Sequence, residues 1–168
     1  ERSGTKGLVR LRTNADWGGL AQGTGTPAFS KPYAIASDGN YVYLSDINTN
    51  HLYRLTSSMT VLSTLTSVAA GAQGIACDGQ FVYVADTGNN RILKLDSALT
   101  RVYAECLYTG VPGGIESPTS IAVDSQRVYF TDAKKRIVVL NKSLGYINES
   151  PGAIGGHILS DKLRICTD

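Results

Sequence analysis

Apolar and polar positions alternate with a period of two along most of this chain, in runs too short for helices. Tyr41-Val42-Tyr43-Leu44, Phe81-Val82-Tyr83-Val84 and Val128-Tyr129-Phe130 are rich in aromatic and β-branched residues and show no 3.6-residue period, which is the signature of strands. Turn chemistry separates the runs. In the stretch from Gln73 to Leu95, QGIACDGQFVYVADTGNNRILKL, a short apolar run reaches Asp78-Gly79, a pair that accepts positive φ and folds the chain back into Phe81 to Val84. After Asp86 the polar run Thr87-Gly88-Asn89-Asn90 reverses the chain again, because Gly and Asn tolerate left-handed backbone, and Ile92 to Leu95 supplies a third strand.

The same pattern is written again on both sides. Ile35-Ala36-Ser37-Asp38, Ile75-Ala76-Cys77-Asp78 and Ile121-Ala122-Val123-Asp124 are copies of one strand and turn, with a weaker fourth copy at Ile158-Leu159-Ser160-Asp161. Eight residues further on, Asp46, Asp86 and Asp132 close the second strands, and Ile165-Cys166-Thr167-Asp168 closes the fourth copy early. Third strands are expected at Leu52 to Leu55, Ile92 to Leu95, Ile137 to Leu140 and, at the front of the chain, Leu8 to Leu11. Outer strands are expected at Thr60 to Leu65, Arg101 to Leu107, Tyr146 to Asn148 and around Leu20.

A four-strand unit repeated about every 40 residues predicts an all-β fold, a β-propeller of four-stranded antiparallel blades with about four blades in the 168 residues. The chain begins with strands three and four of a unit and stops after strands one and two of another, so one blade is expected to be closed by both termini. The same cut also fits a fragment or one half of a larger propeller. A closed ring predicts a monomer and an open one a homodimer. Thr13 to Lys31, with four Gly and the single Trp17, is the longest loose segment, and the whole of 1–168 is expected to form one domain.

Composition narrows the function classes. Net charge is +2 with no long run of like charge, so neither a nucleic-acid footprint nor a polybasic membrane segment is present, and no apolar stretch is long enough to span a membrane. Cys77, Cys106 and Cys166 lack the close spacing of a zinc site, and structural thiols or one disulfide with a free thiol are expected. Asn141-Lys142-Ser143 and Asn148-Glu149-Ser150 are glycosylation sequons in a secreted protein, and the expectation leans to an extracellular location.

Val82-Tyr83-Val84-Ala85-Asp86-Thr87-Gly88-Asn89-Asn90-Arg91-Ile92 resembles the NHL repeat, whose units look like P-x-G-I-A-x-D followed by V-Y-V-x-D-x-x-N-x-R-I. The resemblance extends over nearly the whole chain in four copies and is strongest in the second. The first copy departs from it with Asn50-His51-Leu52, and the third shortens the loop to Ala133-Lys134-Lys135-Arg136-Ile137. The resemblance implies a binding platform for a protein, RNA or sugar, and, in a minority of relatives, a metal-dependent lyase or a lactone-type hydrolase.

Recurring aspartates are expected to cap turns rather than to hold a cation. Residues that break the repeat are the better functional candidates. On that basis a ligand-binding face is expected from the inner-strand positions Tyr33, Gln73, Thr119 and His157 and the loop residues Asn48, Asn89, Lys134 and Lys135. His157 takes the slot held by Ala34, Gly74 and Ser120 and is the one metal-competent side chain expected near the axis, whereas His51 stands where the other units carry Arg91 and Arg136. No nucleophile motif or phosphate loop is present. The expectation is a non-enzymatic recognition or assembly scaffold for a protein or glycan, with no cofactor; the alternative is a metal-assisted lyase or hydrolase acting at the propeller axis, and a lectin is the third reading.

Overall fold

The computed structural model describes residues 29–150, together with residues 153, 154, 157 and 158. Three four-stranded antiparallel sheets follow one another along the chain. The first is β1 (Pro32–Ser37), β2 (Tyr41–Asp46), β3 (His51–Thr56) and β4 (Val61–Leu65). The second is β5 (Gly74–Cys77), β6 (Phe81–Asp86), β7 (Arg91–Asp96) and β8 (Val102–Cys106), and the third is β9 (Ile121–Val123), β10 (Arg127–Thr131), β11 (Ile137–Asn141) and β12 (Tyr146–Glu149). Within each sheet spatial order equals chain order. The first strands β1, β5 and β9 lie side by side, so the three sheets pack as the blades of a β-propeller with β4, β8 and β12 outermost.

Alternation decides which face of each blade is buried and against what. Tyr43 and Leu52 on one face of blade 1 pack against Ile75, Val82, Val84, Leu93 and Leu95 of blade 2. The opposite face of blade 2, with Ala76, Tyr83, Ala85 and Ile92, packs against Ile121, Val123, Val128, Phe130, Val138 and Leu140 of blade 3. Blades 2 and 3 are therefore apolar where they meet a neighbour, and the side chains Val82, Tyr83, Val84, Ile92, Leu93, Leu95, Val128, Phe130, Val138 and Leu140 are fully buried.

Every outer strand carries a β-bulge at the same place. Pairing slips between Arg54 and Leu55, between Lys94 and Leu95 and between Val139 and Leu140. The extra residues are Leu62, Tyr103 and Ile147, each a large apolar side chain left exposed.

The expected strand quartets are all present in blades 1 to 3. Leu8 to Leu11, the stretch around Leu20, Ile165 to Asp168 and the expected pairing of the two chain ends lie outside the described residues. Near the C-terminal end, β13 (Ala153–Ile154) and β14 (His157–Ile158) form a two-stranded antiparallel hairpin, with Ala153 opposite Ile158 and Ile154 opposite His157.

Candidate functional site

Antiparallel order places the start of the first strand, the loop between the second and third strands and the end of the fourth strand of every blade at one end of the sheets. This loop face is built on buried aspartates. Asp46 Oδ2 accepts the amides of Ser30 and Lys31 (2.6 and 2.9 Å) while Oδ1 accepts those of Asn48 and Thr49 (3.1 and 3.0 Å). Burial alone would raise the Asp46 carboxyl, but these amides outweigh it and hold its pKa below the usual carboxylate value. Asp86 accepts the Ala70 amide at 2.7 Å, the Asn89 side-chain amide at 3.0 Å and Arg91 Nε at 2.7 Å. Asp132 accepts the Lys134 amide at 3.1 Å and Arg136 Nη2 at 3.0 Å.

In blades 2 and 3 an arginine at the start of the third strand extends this anchorage outward. Arg91 also reaches Glu105 of β8 (2.7 Å) and the Val68 carbonyl (2.7 Å). Arg136, only 6% exposed, pairs with Glu149 of β12 and donates to the carbonyls of Pro112 (3.0 Å) and Gly114. Blade 1 lacks both partners. His51 replaces the arginine, with Nδ1 3.1 Å from the Tyr53 hydroxyl, and Thr64 stands where Glu105 and Glu149 stand.

The candidate ligand residues of the described blades fall on this end, in different states of engagement. Asn48 is exposed, its side-chain amide 3.2 Å from Ser30 Oγ. Asn89 is exposed at the tip of a single 3-10 turn, Thr87–Asn89, yet bonded to Asp86. Lys134 is half-buried and donates to the carbonyls of Gly113 and Gly114, whereas Lys135 is exposed in the left-handed conformation at φ 61°. Tyr33 is 45% exposed on β1. Gln73 and Thr119 are half-buried, their amides donating to the Ala85 and Thr131 carbonyls at 3.2 and 2.9 Å. His157 lies in β14 opposite Ile154. The slot aligned with His157 holds Ala34, which packs on the blade 1–2 core, and Gly74, where a Cβ would stand 2.7 Å from the Thr119 carbonyl oxygen of blade 3; in these two blades the slot faces the next blade.

Sequence reasoning found no partner for Asn50 or Asn90, although it placed Asn90 in a turn that tolerates left-handed backbone. Both are left-handed, at φ 58° and 52°, and each side-chain oxygen accepts an amide of the following connector, Gly71 and Ser117 respectively, at 2.7 Å. Their recurrence four residues after Asp46 and Asp86 was the signal. Sequence reasoning passed over the connector between blades 2 and 3. Fourteen residues (107–120) precede Ile121 where nine (66–74) precede Ile75, and this excess largely accounts for the longer second period.

At the opposite end a second set of aspartates closes the hairpins. Asp38, Asp78 and Asp124 each accept two amides of their own turn and the hydroxyl of Tyr43, Tyr83 or Tyr129. Tyr43 also donates across the interface to the Ser97 carbonyl of blade 2, at 3.2 Å, and Lys142 of blade 3 pairs with Asp78 of blade 2. Burial, aided by the charges of Asp38 and Asp78, pushes the Cys77 thiol up to about 11, and burial raises Cys106. Both are free thiols. Among the described residues no group of three or more His, Cys, Asp or Glu side chains is arranged to hold a metal ion, and no helix is long and apolar enough to cross a membrane.

No family model and no curated protein matches the sequence. Solved structures do. Hydrazine synthase of Kuenenia stuttgartiensis superposes with a TM-score of 0.62 at 16% identity, covering 76% of this chain and 38% of that one. U3-55K gives 0.62 at 12% identity, with 73% and 39% covered, and virginiamycin B lyase from Staphylococcus aureus gives 0.60 at 19% identity, with 74% and 42% covered. The chain thus spans about two fifths of the length of each. WD40 repeats also stand among the neighbours. At such identities the likeness establishes the fold alone, which is that of a β-propeller of four-stranded antiparallel blades.

Proposed function

We propose that this chain is an NHL-type propeller that acts as a non-enzymatic recognition or assembly scaffold, taking a protein or glycan ligand on the loop face. The observation that carries the reading is the division of labour at that face. The recurring aspartates Asp46, Asp86 and Asp132, joined in blades 2 and 3 by Arg91 and Arg136, are buried or half-buried and engaged with loop backbone, which fixes the three loops, the third of them one residue shorter. The residues that differ between blades, Asn48, Asn89 and Lys135, are exposed on them. Rigid framing beneath variable tips is how recognition loops on a scaffold work, because little conformational entropy is lost on binding.

The lyase alternative is favoured by the lyases among the structural neighbours, and fold does not choose between the two. Elemental analysis of the purified protein separates them. Stoichiometric zinc, iron or calcium that is lost on His157→Ala overturns the scaffold reading. Binding that disappears in the double variant Asn48→Ala, Lys135→Ala, with the unfolding midpoint kept, supports it.

A further inference from the structure

The connector between blades 2 and 3 is the largest departure from the repeat among the described blades, and it is held at many points. Val111 and Ile115 are buried in the core between these blades at 3% and 0% exposure. Arg136 and Lys134 donate to the carbonyls of Pro112, Gly113 and Gly114. The Ser117 amide is taken by Asn90, the Pro118 carbonyl by the Thr87 hydroxyl at 2.7 Å, and the Glu116 carbonyl by the Ala133 amide at 2.7 Å. Loops of both adjoining blades thus clamp one segment.

What this segment presents is a single flat ring. Tyr108 is 55% exposed, with Leu107 beside it at 48%. The ring lies on Gly114, where a Cβ would run into it and where φ is +79°, and the Lys134 ammonium sits 5.7 Å from its centroid. The backbone bond from Ala133 to Glu116 and the Asn90 bond to Ser117 tie the loops that carry Lys135 and Asn89, both exposed, to the same connector as Tyr108, on which Glu116 is exposed.

Resting on the recognition reading above, we propose that Tyr108 is the stacking platform of a carbohydrate site on the loop face, taking one pyranose unit. The apolar C–H face of a pyranose carries slight positive charge and meets the negative face of an aromatic ring, while its hydroxyls need donors and acceptors at the ring's border. Tyr108 supplies the first; Glu116 on the same connector, with Lys135 and Asn89 on the loops bonded to it, are the exposed polar side chains that the proposal assigns to the second. A protein partner needs roughly 800 Å² with several apolar anchors, against one ring and one leucine here.

The full chain, Tyr108→Phe and Tyr108→Ala are to be applied to a glycan array and to a displayed random-peptide library. Pyranose binding retained by Tyr108→Phe and weakened at least tenfold by Tyr108→Ala, with an unchanged unfolding midpoint, is the expected result. Array hits are then repeated with the free oligosaccharide and with a glycoprotein before and after enzymatic deglycosylation, and binding must follow the sugar. Glycan binding that survives Tyr108→Ala, or peptide binding without glycan binding, overturns the platform while leaving a scaffold; an absence of both kinds of binding overturns the platform and the scaffold together.

Discussion

Asn90 shows how one side chain sets the relation between blades. Its left-handed backbone makes the turn, and its amide oxygen fastens Ser117 of the next connector. Asn90→Ala is expected to lower stability by about 2 kcal/mol in urea unfolding, from an unsatisfied amide and a strained φ. Asn48→Ala, on an exposed tip, should stay within about 0.5 kcal/mol; equal effects would refute the latch. Gly74→Ala is a second test at this scale. Its Cβ would meet a carbonyl of the neighbouring blade at 2.7 Å, and a loss of about 1–3 kcal/mol is expected, as for other overpacked sites.

Strands and turns were legible in the sequence because alternation and turn residues are local. The predicted second, third and outer strands of blades 1 to 3 agree with the observed ones to within a residue or two. Longer-range partnerships were not legible. Nothing in the pattern showed the partners of Arg91 and Arg136, each of which gathers an aspartate, a glutamate and at least one connector carbonyl up to 24 residues away in sequence. Nor did Lys134 betray that its ammonium serves two glycine carbonyls instead of solvent. The two arginines predict a graded outcome. Arg136→Met leaves the buried Asp132 carboxylate with the Lys134 amide and should cost about 3–5 kcal/mol, whereas Arg91→Met, whose side chain is 23% exposed, should cost less because the equally buried Asp86 keeps both the Ala70 amide and the Asn89 side-chain amide. Chemical denaturation of the two variants side by side checks the order.

For the molecule as a whole, the aspartates set an acid limit. Burial opposes ionisation at Asp38, Asp46, Asp78 and Asp96, but hydrogen bonds prevail and hold all four below the ordinary carboxylate value. Because the folded pKa lies under the unfolded one, near 3.9, their contribution is complete above about pH 4 and is lost as pH falls through the folded values. Tyr43 and Tyr83 are raised instead, first by burial and then by the neighbouring carboxylates, so their contribution is complete below about pH 10 and lost above it. The thermal midpoint should be flat between roughly pH 5 and 9 and fall on either side; a midpoint still rising as pH drops below 4 would contradict the carboxylate geometry.

The slipped residues Leu62, Tyr103 and Ile147 govern how these molecules behave in a crowd. An outermost strand offers free amides to any extended segment that drifts past, and a regular one is a template for fibrous stacking. Each kink breaks that template midway, so a visiting strand finds its spacing matched for only two or three residues. Excising Tyr103 alone should restore a regular rim, and static light scattering at high concentration should then rise with time while the parent chain stays clear.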